Sequence, residues 1–340
     1  MKKAAWIGTV SIVAISLLVS GCSPQAIAAD AKHPGTGRID YHGYARCVKL
    51  ENPNCRLVLC HQCGGRVLEY SWKGRNVMAL SPKAAGKVYD PKTQRGGAAD
   101  GGRFDIGPEN TIPPHPDLWV GQWTAEITGP RAARLTSPPD AATGVQLVRE
   151  FQLHETSSRL RCTQIIKNVS KQTRHWCHWS RTFAPGGGIC VIPLTPGSRF
   201  PNSYIMYGPD SVMMYRPSDP NIIVRDGFLL ITGTPAHPKL GMDSCAGWLA
   251  YVMKNDLMFV KRFGTYPDRP YNEMAALTLS IWYYKDELCE LEPIGPKNNI
   301  APGKSASFTE DWWILPHKYP PDPAKLDLEK VEAAVDKEAR

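Results

Sequence analysis

What this 340-residue sequence lacks narrows its fold before any motif is read. Strand-like and helix-like patterns nowhere alternate, which excludes a sheet built from parallel βαβ units. No self-similarity occurs at a period of roughly 20 to 50 residues, which excludes a propeller. Only one stretch, near the C-terminus, carries a helical pattern. The net charge is +8, yet the lysines and arginines are interleaved with acids and form no long like-charge run. The electrostatic footprint of a nucleic-acid partner is therefore missing. Cys60-His61-Gln62-Cys63 has the spacing of a zinc knuckle or a redox pair, but no second such pair stands at zinc-ribbon distance and no thioredoxin-like pattern surrounds it. The residues call for no metal and no cofactor.

What is present points to β structure. Glycine (29) and proline (30) are both abundant and favour turns over long helices. In the stretch 63–78, CGGRVLEYSWKGRNVM, Gly64 and Gly65 permit a tight corner and Arg66 follows at once. Val67, Leu68, Tyr70 and Trp72 then supply a strand, and Lys73 to Asn76 a hairpin turn. Residues 44–51 and 56–60 read as the strands before it. Residues 81–116 read as a long irregular segment, of the kind that is usually functional. It holds Arg103, Asp105, Glu109 and His115, and Trp119 and Trp123 follow. Arginine, carboxylates, histidine and tryptophans together suit a site wall.

From Val145 the alternation becomes regular, with Arg149 on the apolar side of its strand. Further strands are expected around 160–168, 175–183, 189–194, 247–253, 257–263, 277–284, 287–294 and 305–315. Residues 324–339 form the helix: Leu328, Val331 and Val335 share a face, with acids early and Lys337 late. The expected fold is all-β, a large antiparallel sandwich with a short C-terminal helix capping its outside.

The N-terminus reads as an export signal. Lys2-Lys3 precedes an apolar stretch, 6–20, too short for a membrane span. Val19-Ser20-Gly21-Cys22 matches a bacterial lipobox, with Ala26-Ile27-Ala28 as a competing cleavage site. The lipobox reading makes 1–21 a signal peptide, Cys22 the lipidated residue and 22–40 a tether. Residues 41–318 are then the sandwich and 319–340 the helical cap. Ser23 after the cysteine favours the outer membrane, with the lipid as the sole membrane contact. Nine cysteines remain after Cys22, an odd set whose pairing the spacing leaves open.

The Gly-Gly-Arg corner followed by "WKGRNVM", the "IIKNVSKQTRHWCHW" stretch, and the closing "ELEPIGPKNNIAPGKSASFTEDWWIL" together resemble the galactose mutarotase-like (aldose 1-epimerase) superfamily over roughly residues 42–316. The resemblance implies a supersandwich fold and a saccharide ligand. In aldose 1-epimerases a glutamate acts as base on the anomeric hydroxyl and a histidine as acid on the ring oxygen. Carried over, these roles fall to Glu310, on the apolar face of its strand, and to His178 or its neighbour His175. The family's Asn-His-x-Tyr-Phe-Asn motif is absent: Trp176 and Trp179 follow the two histidines.

Three functions fit these observations. One is a carbohydrate-binding lipoprotein using Arg66, Arg103, Asp105, Glu109, Trp119, Trp123 and Lys261. Another is an epimerase with Glu310 and His178 as base and acid. The last is an envelope scaffold that binds protein. Each residue also has a structural alternative. Glu310 pairs with inward Arg149 or Lys261, His178 is a satisfied core histidine, Arg66 caps carbonyls at its corner, and Arg103 to Glu109 brace their own loop.

Overall fold

The computed structural model describes residues 33–97, 100–209 and 212–339. The expected signal peptide, its lipobox reading and Cys22 lie outside the described residues. Among these residues the strands form two sheets, paired antiparallel. The larger, of 13 strands, runs from Thr36–Tyr41 at one edge through Arg66–Trp72, Gly102–Gly107, Arg174–Pro185, Leu288–Pro293, Leu279–Tyr284 and Lys239–Met242 toward Ile205–Tyr207 and Met213–Met214. The smaller, of 10 strands, is centred on Trp248–Met253, Leu257–Phe263, Ser305–Pro316 and Leu160–Asn168.

The two sheets enclose one apolar core. Val48, Leu57, Tyr70, Phe104 and Leu291 of the larger sheet meet Leu147, Ile166, Phe259 and Trp312 of the smaller, all buried. Alternation along each strand then decides what the other face carries. On Gly102–Gly107, Phe104 and Ile106 enter this core, so Arg103 and Asp105 point the opposite way. On Leu288–Pro293, Cys289 and Leu291 enter it, which turns Glu290 and Glu292 outward. On Arg174–Pro185, Cys177 and Trp179 belong to a separate apolar cluster with Phe200, Ile205, Leu277 and Ile294. Arg181 shares their face. A second small cluster holds Tyr44, Cys47, Val58, Cys60, Cys63 and Leu68. The outer face of the larger sheet is thus apolar in two patches and charged between them.

The helix Leu328–Glu338 closes the other side. Its Asp327 cap accepts from the Lys330 amide at 3.1 Å. Leu328, Val331 and Val335 pack on Trp248, Val260 and Trp313 of the smaller sheet's outer face. A 3-10 turn at Pro323–Lys325 precedes it, so the α-helix starts later than the pattern at 324 suggests.

Two elements differ from the sequence reading. Thr36–Tyr41, within the expected tether, is an edge strand paired with Tyr44–Glu51. Gly102–Gly107, within the expected irregular segment, is a central strand of the larger sheet, paired with Arg174–Pro185. Among the described residues no helix is long and apolar enough to cross a membrane. No S–S bond is drawn between the nine described cysteines, of which only Cys245 is partly exposed.

Candidate functional site

The charged part of the outer face is built by three adjacent strands. Register places Arg103 opposite Arg181 and Asp105 opposite Trp179. Arg181 Nε donates to Glu290 Oε1 at 2.9 Å, and Nη2 to Glu290 Oε2 at 3.1 Å, a two-pronged pair. The same guanidinium lies 3.9 Å from Asp105, 3.9 Å from Glu109 and 4.0 Å from Glu292. Arg103 lies 3.8 Å from Glu290. Glu290 and Glu292 are fully buried, Arg103 is 2% exposed and Asp105 6%. At the rim, Lys239 pairs with Glu109 and lies near the rings of Trp179 and Tyr207.

Arg103 stacks under the ring of Trp119 at 4.4 Å, and Trp119 is 40% exposed. That tryptophan is positioned by the glycine corner. Gly64 has a φ of +71°, and a Cβ there would sit 2.0 Å from the Trp119 carbonyl oxygen. Gly65 has a φ of +58°, and a Cβ there would meet the Trp123 ring at 2.4 Å. Only glycine lets the 119–123 loop lie on this corner. Arg66, fully buried, donates to the carbonyls of Asp100 (2.9 Å) and Trp119 (3.1 Å), which ties the loop down.

Protonation states follow from this packing. Burial alone would raise Asp105, but the His115 hydrogen bond and the Arg103 and Arg181 charges outweigh it and hold the carboxyl at about 2. His115 faces two acceptors, Asp105 Oδ1 at 2.8 Å and the Pro113 carbonyl at 2.7 Å. Donating to both requires a proton on each ring nitrogen. Burial disfavours that cation, yet the Asp105 carboxylate and the Pro113 carbonyl overcome it and raise the imidazole above its ordinary value. Glu290 would also be raised by burial, but Arg181 and Arg103 bring it down to about 2. Glu292 goes the other way: burial and the neighbouring Glu290 charge push it up to about 8. Two carboxyls on one strand therefore stand in opposite protonation states at neutral pH.

Trp179 Nε1 donates to Glu292 Oε2 at 2.8 Å, and protonated Glu292 also hydrogen-bonds the neighbouring Glu290 carboxylate. Nε and Nη1 of Arg103 lack a hydrogen-bond partner among the described residues. Such groups are uncommon in a buried setting and suit a bound polar molecule. On the same face, half-buried Trp282 lies opposite Glu290 and Lys239 in the register and stacks on Tyr284 at 5.0 Å. The loops carrying Phe200 and Leu277 also border a cavity of about 670 Å³ lined by Ser198, Arg199, Asp243, Arg269 and Tyr271.

Of the residues singled out from sequence, Arg66, Arg103, Asp105, Glu109 and Trp119 come together here. Trp123 does not face the opening: it is buried in the main core against Gly65. Glu310, Lys261 and His178 lie on the inner side, between the sheets. Lys261 Nζ is 3.0 Å from Glu310 Oε2, and both are fully buried. His178 is stacked between Phe104 (5.6 Å) and Phe308 (5.8 Å), and burial lowers it to about 3. His175 is exposed and contacts Asn299 at 2.7 Å. Arg181, Lys239 and Trp282 join the site without a sequence signal that singles them out, and Glu290 and Glu292, quoted within the closing stretch of the resemblance, join it without having been given a site role. Parity along 288–293 is the signal that finds the two glutamates, because Cys289 and Leu291 claim the core side.

No family description and no curated protein matches this chain. Solved structures do. A galactose mutarotase-like protein from Lactobacillus casei aligns over 79% of this chain and all of its own, at 11% identity and a TM-score of 0.53. One from Clostridium acetobutylicum aligns over 84% of this chain and all of its own, at 10% identity and a TM-score of 0.53. The chain has the galactose mutarotase-like fold.

Proposed function

We propose that the outer face of the larger sheet binds a saccharide, and that the chain is an exported protein anchored by lipid at Cys22. The observation that carries the ligand is the pair of orphan donors on Arg103, Nε and Nη1, beneath the partly exposed Trp119 ring. Sugar hydroxyls seek such donors, and the C–H faces of a sugar ring stack on tryptophan. The wider site supplies charges of both signs, which suits a ligand rich in hydroxyls. Trp119→Ala is the direct test. The residue is 40% exposed and its ring covers Arg103, so stability should fall by roughly 1–2 kcal/mol, while affinity of the folded variant in a glycan array followed by calorimetry should fall about tenfold or more. Unchanged affinity, or no binding by the parent protein, removes this reading. The anchor rests on the lipobox, and Cys22→Ser should move the protein from the membrane to the soluble fraction.

A second reading, sugar epimerisation, is favoured by the opposed protonation of Glu292 and Glu290. Opening a pyranose ring needs a proton donor near the ring oxygen and an acceptor near the anomeric hydroxyl. Under this reading Glu292 is the proton donor in place of His178, and an ionised carboxylate beside it, Asp105 or Glu290, is the acceptor in place of Glu310. Glu292 is protonated below about 8, so anomer interconversion followed by NMR should decline as pH rises through that value. Glu292→Gln should abolish it. Binding without any interconversion leaves the first reading standing and ends the second.

A further inference from the structure

We propose that Cys190 and Cys289 form a disulfide that bolts the two sheets together behind the charged face. Cys190 sits on Ile189–Pro193 of the smaller sheet and Cys289 on Leu288–Pro293 of the larger. Both point into the shared core, at 1% and 0% exposure, and their sulfurs are 3.4 Å apart. A disulfide needs about 2.05 Å, so the two sulfurs draw closer by a little over about 1 Å when it forms. The two residues are 99 positions apart, so the bond closes a long loop and strongly restricts the unfolded chain.

The surroundings fix when the bond forms. Burial and the neighbouring Cys190 thiol raise Cys289 well above the ordinary thiol value, so in the folded interior Cys289 offers almost no thiolate. The exchange therefore belongs to folding, before the sheets close. One cysteine thiolate attacks a sulfur of an oxidised dithiol protein and forms a mixed disulfide. The other then attacks the sulfur contributed by this chain, joining Cys190 to Cys289 and releasing the partner as its reduced dithiol. Two electrons pass to that partner and two protons leave the cysteines. The bond also matters to the site. Glu290 and Glu292 follow Cys289 on the same strand with Glu290 facing the other way, so tethering Cys289 fixes the strand that carries both carboxyls. The proposal does not depend on a saccharide being the ligand.

The test uses the full chain made in an oxidising compartment, denatured without reductant in the presence of N-ethylmaleimide, digested and mapped by mass spectrometry. A peptide joining residues 190 and 289, released by reductant, is the expected result. Recovery of both cysteines alkylated, or of either bonded to another cysteine, overturns the proposal. As an independent measurement, reductant should lower the Tm of the parent by roughly 5–10 °C. It should leave the Cys190→Ala/Cys289→Ala double variant unchanged. Equal sensitivity of the two proteins to reductant also overturns it.

Discussion

Replacing Arg181 with methionine is expected to lower folding stability by about 3–5 kcal/mol and to abolish ligand binding. The guanidinium is the cation shared by Glu290, Asp105, Glu109 and Glu292, and Glu290 has no exposure through which water could replace it. Methionine preserves much of the aliphatic volume, so the loss isolates charge and hydrogen bonding from packing. The pH dependence gives the signature. In the parent, Arg181 and Arg103 overcome burial and hold Glu290 at about 2. Without Arg181, the folded-state value rises above the unfolded value near 4.5. The folded state then binds the extra proton, and stability falls as pH climbs through that range. The gap between parent and variant should therefore be larger in mildly alkaline than in mildly acidic buffer. Arg134 serves as the control: its pair with Glu150 is half-exposed, and Arg134→Ala should cost no more than about 1 kcal/mol. A cost for Arg181→Met as small as the control's would show that the charged cluster is solvated and loosely held.

That cluster is only half legible in the sequence, and the reason is physical. Arg103, Asp105 and Glu109 stand out because they crowd one short segment with a histidine and tryptophans nearby. The segment itself reads as irregular because charged residues alternating with Phe104 and Ile106 resemble a solvated loop. In the structure the charges are matched by partners from two other strands, which lets a central strand carry them under cover. Arg181 goes unmarked, and Glu290 and Glu292 read only as part of the closing hairpin, for the converse reason. Each lies on a strand whose apolar neighbours announce one buried face, and the other face passes for solvent-exposed. Burial on both faces is invisible to alternation alone; it depends on which loops fold over the sheet, and here the 108–123 segment does so. The sandwich is legible because its signal is local. Parity places Glu310, Lys261 and Arg149 on inward faces, and all three are fully buried. Parity does not say whether the inward face opens to a ligand or closes on a core.

The Lys261–Glu310 pair decides that question by experiment. Lys261 lies on the smaller sheet and reaches across the core to the larger. It donates to Ser180 Oγ at 2.9 Å, Thr182 Oγ1 at 3.2 Å and the Leu291 carbonyl at 3.2 Å, besides its contact with Glu310. Glu310 accepts from Gln164 Nε2 at 2.6 Å and from Trp312 Nε1 at 2.8 Å. Lys261→Met leaves a buried carboxylate without its cation and should cost about 3–5 kcal/mol. Glu310→Gln leaves the ammonium facing neutral oxygens. Burial already lowers Lys261 despite the Glu310 charge, and removing that charge lowers it further. A depressed lysine releases its proton in the folded state first, so the penalty of Glu310→Gln should shrink as pH rises toward the unfolded value near 10.5. The double variant removes both charges, while the amide introduced by Glu310→Gln keeps its carbonyl for the Trp312 donor and turns its NH2 to Gln164, whose unpartnered carbonyl accepts it once that amide flips. It should recover most of the stability lost by Lys261→Met. A denaturant-derived coupling energy above about 1 kcal/mol would establish the pair as one unit of the core. The functional readout separates this from catalysis. A folded double variant that still binds saccharide and interconverts anomers, if the parent does, assigns Glu310 to the core. One that folds and binds but loses interconversion returns Glu310 to the role its family resemblance implies, and would require the sheets to part far enough to admit a sugar.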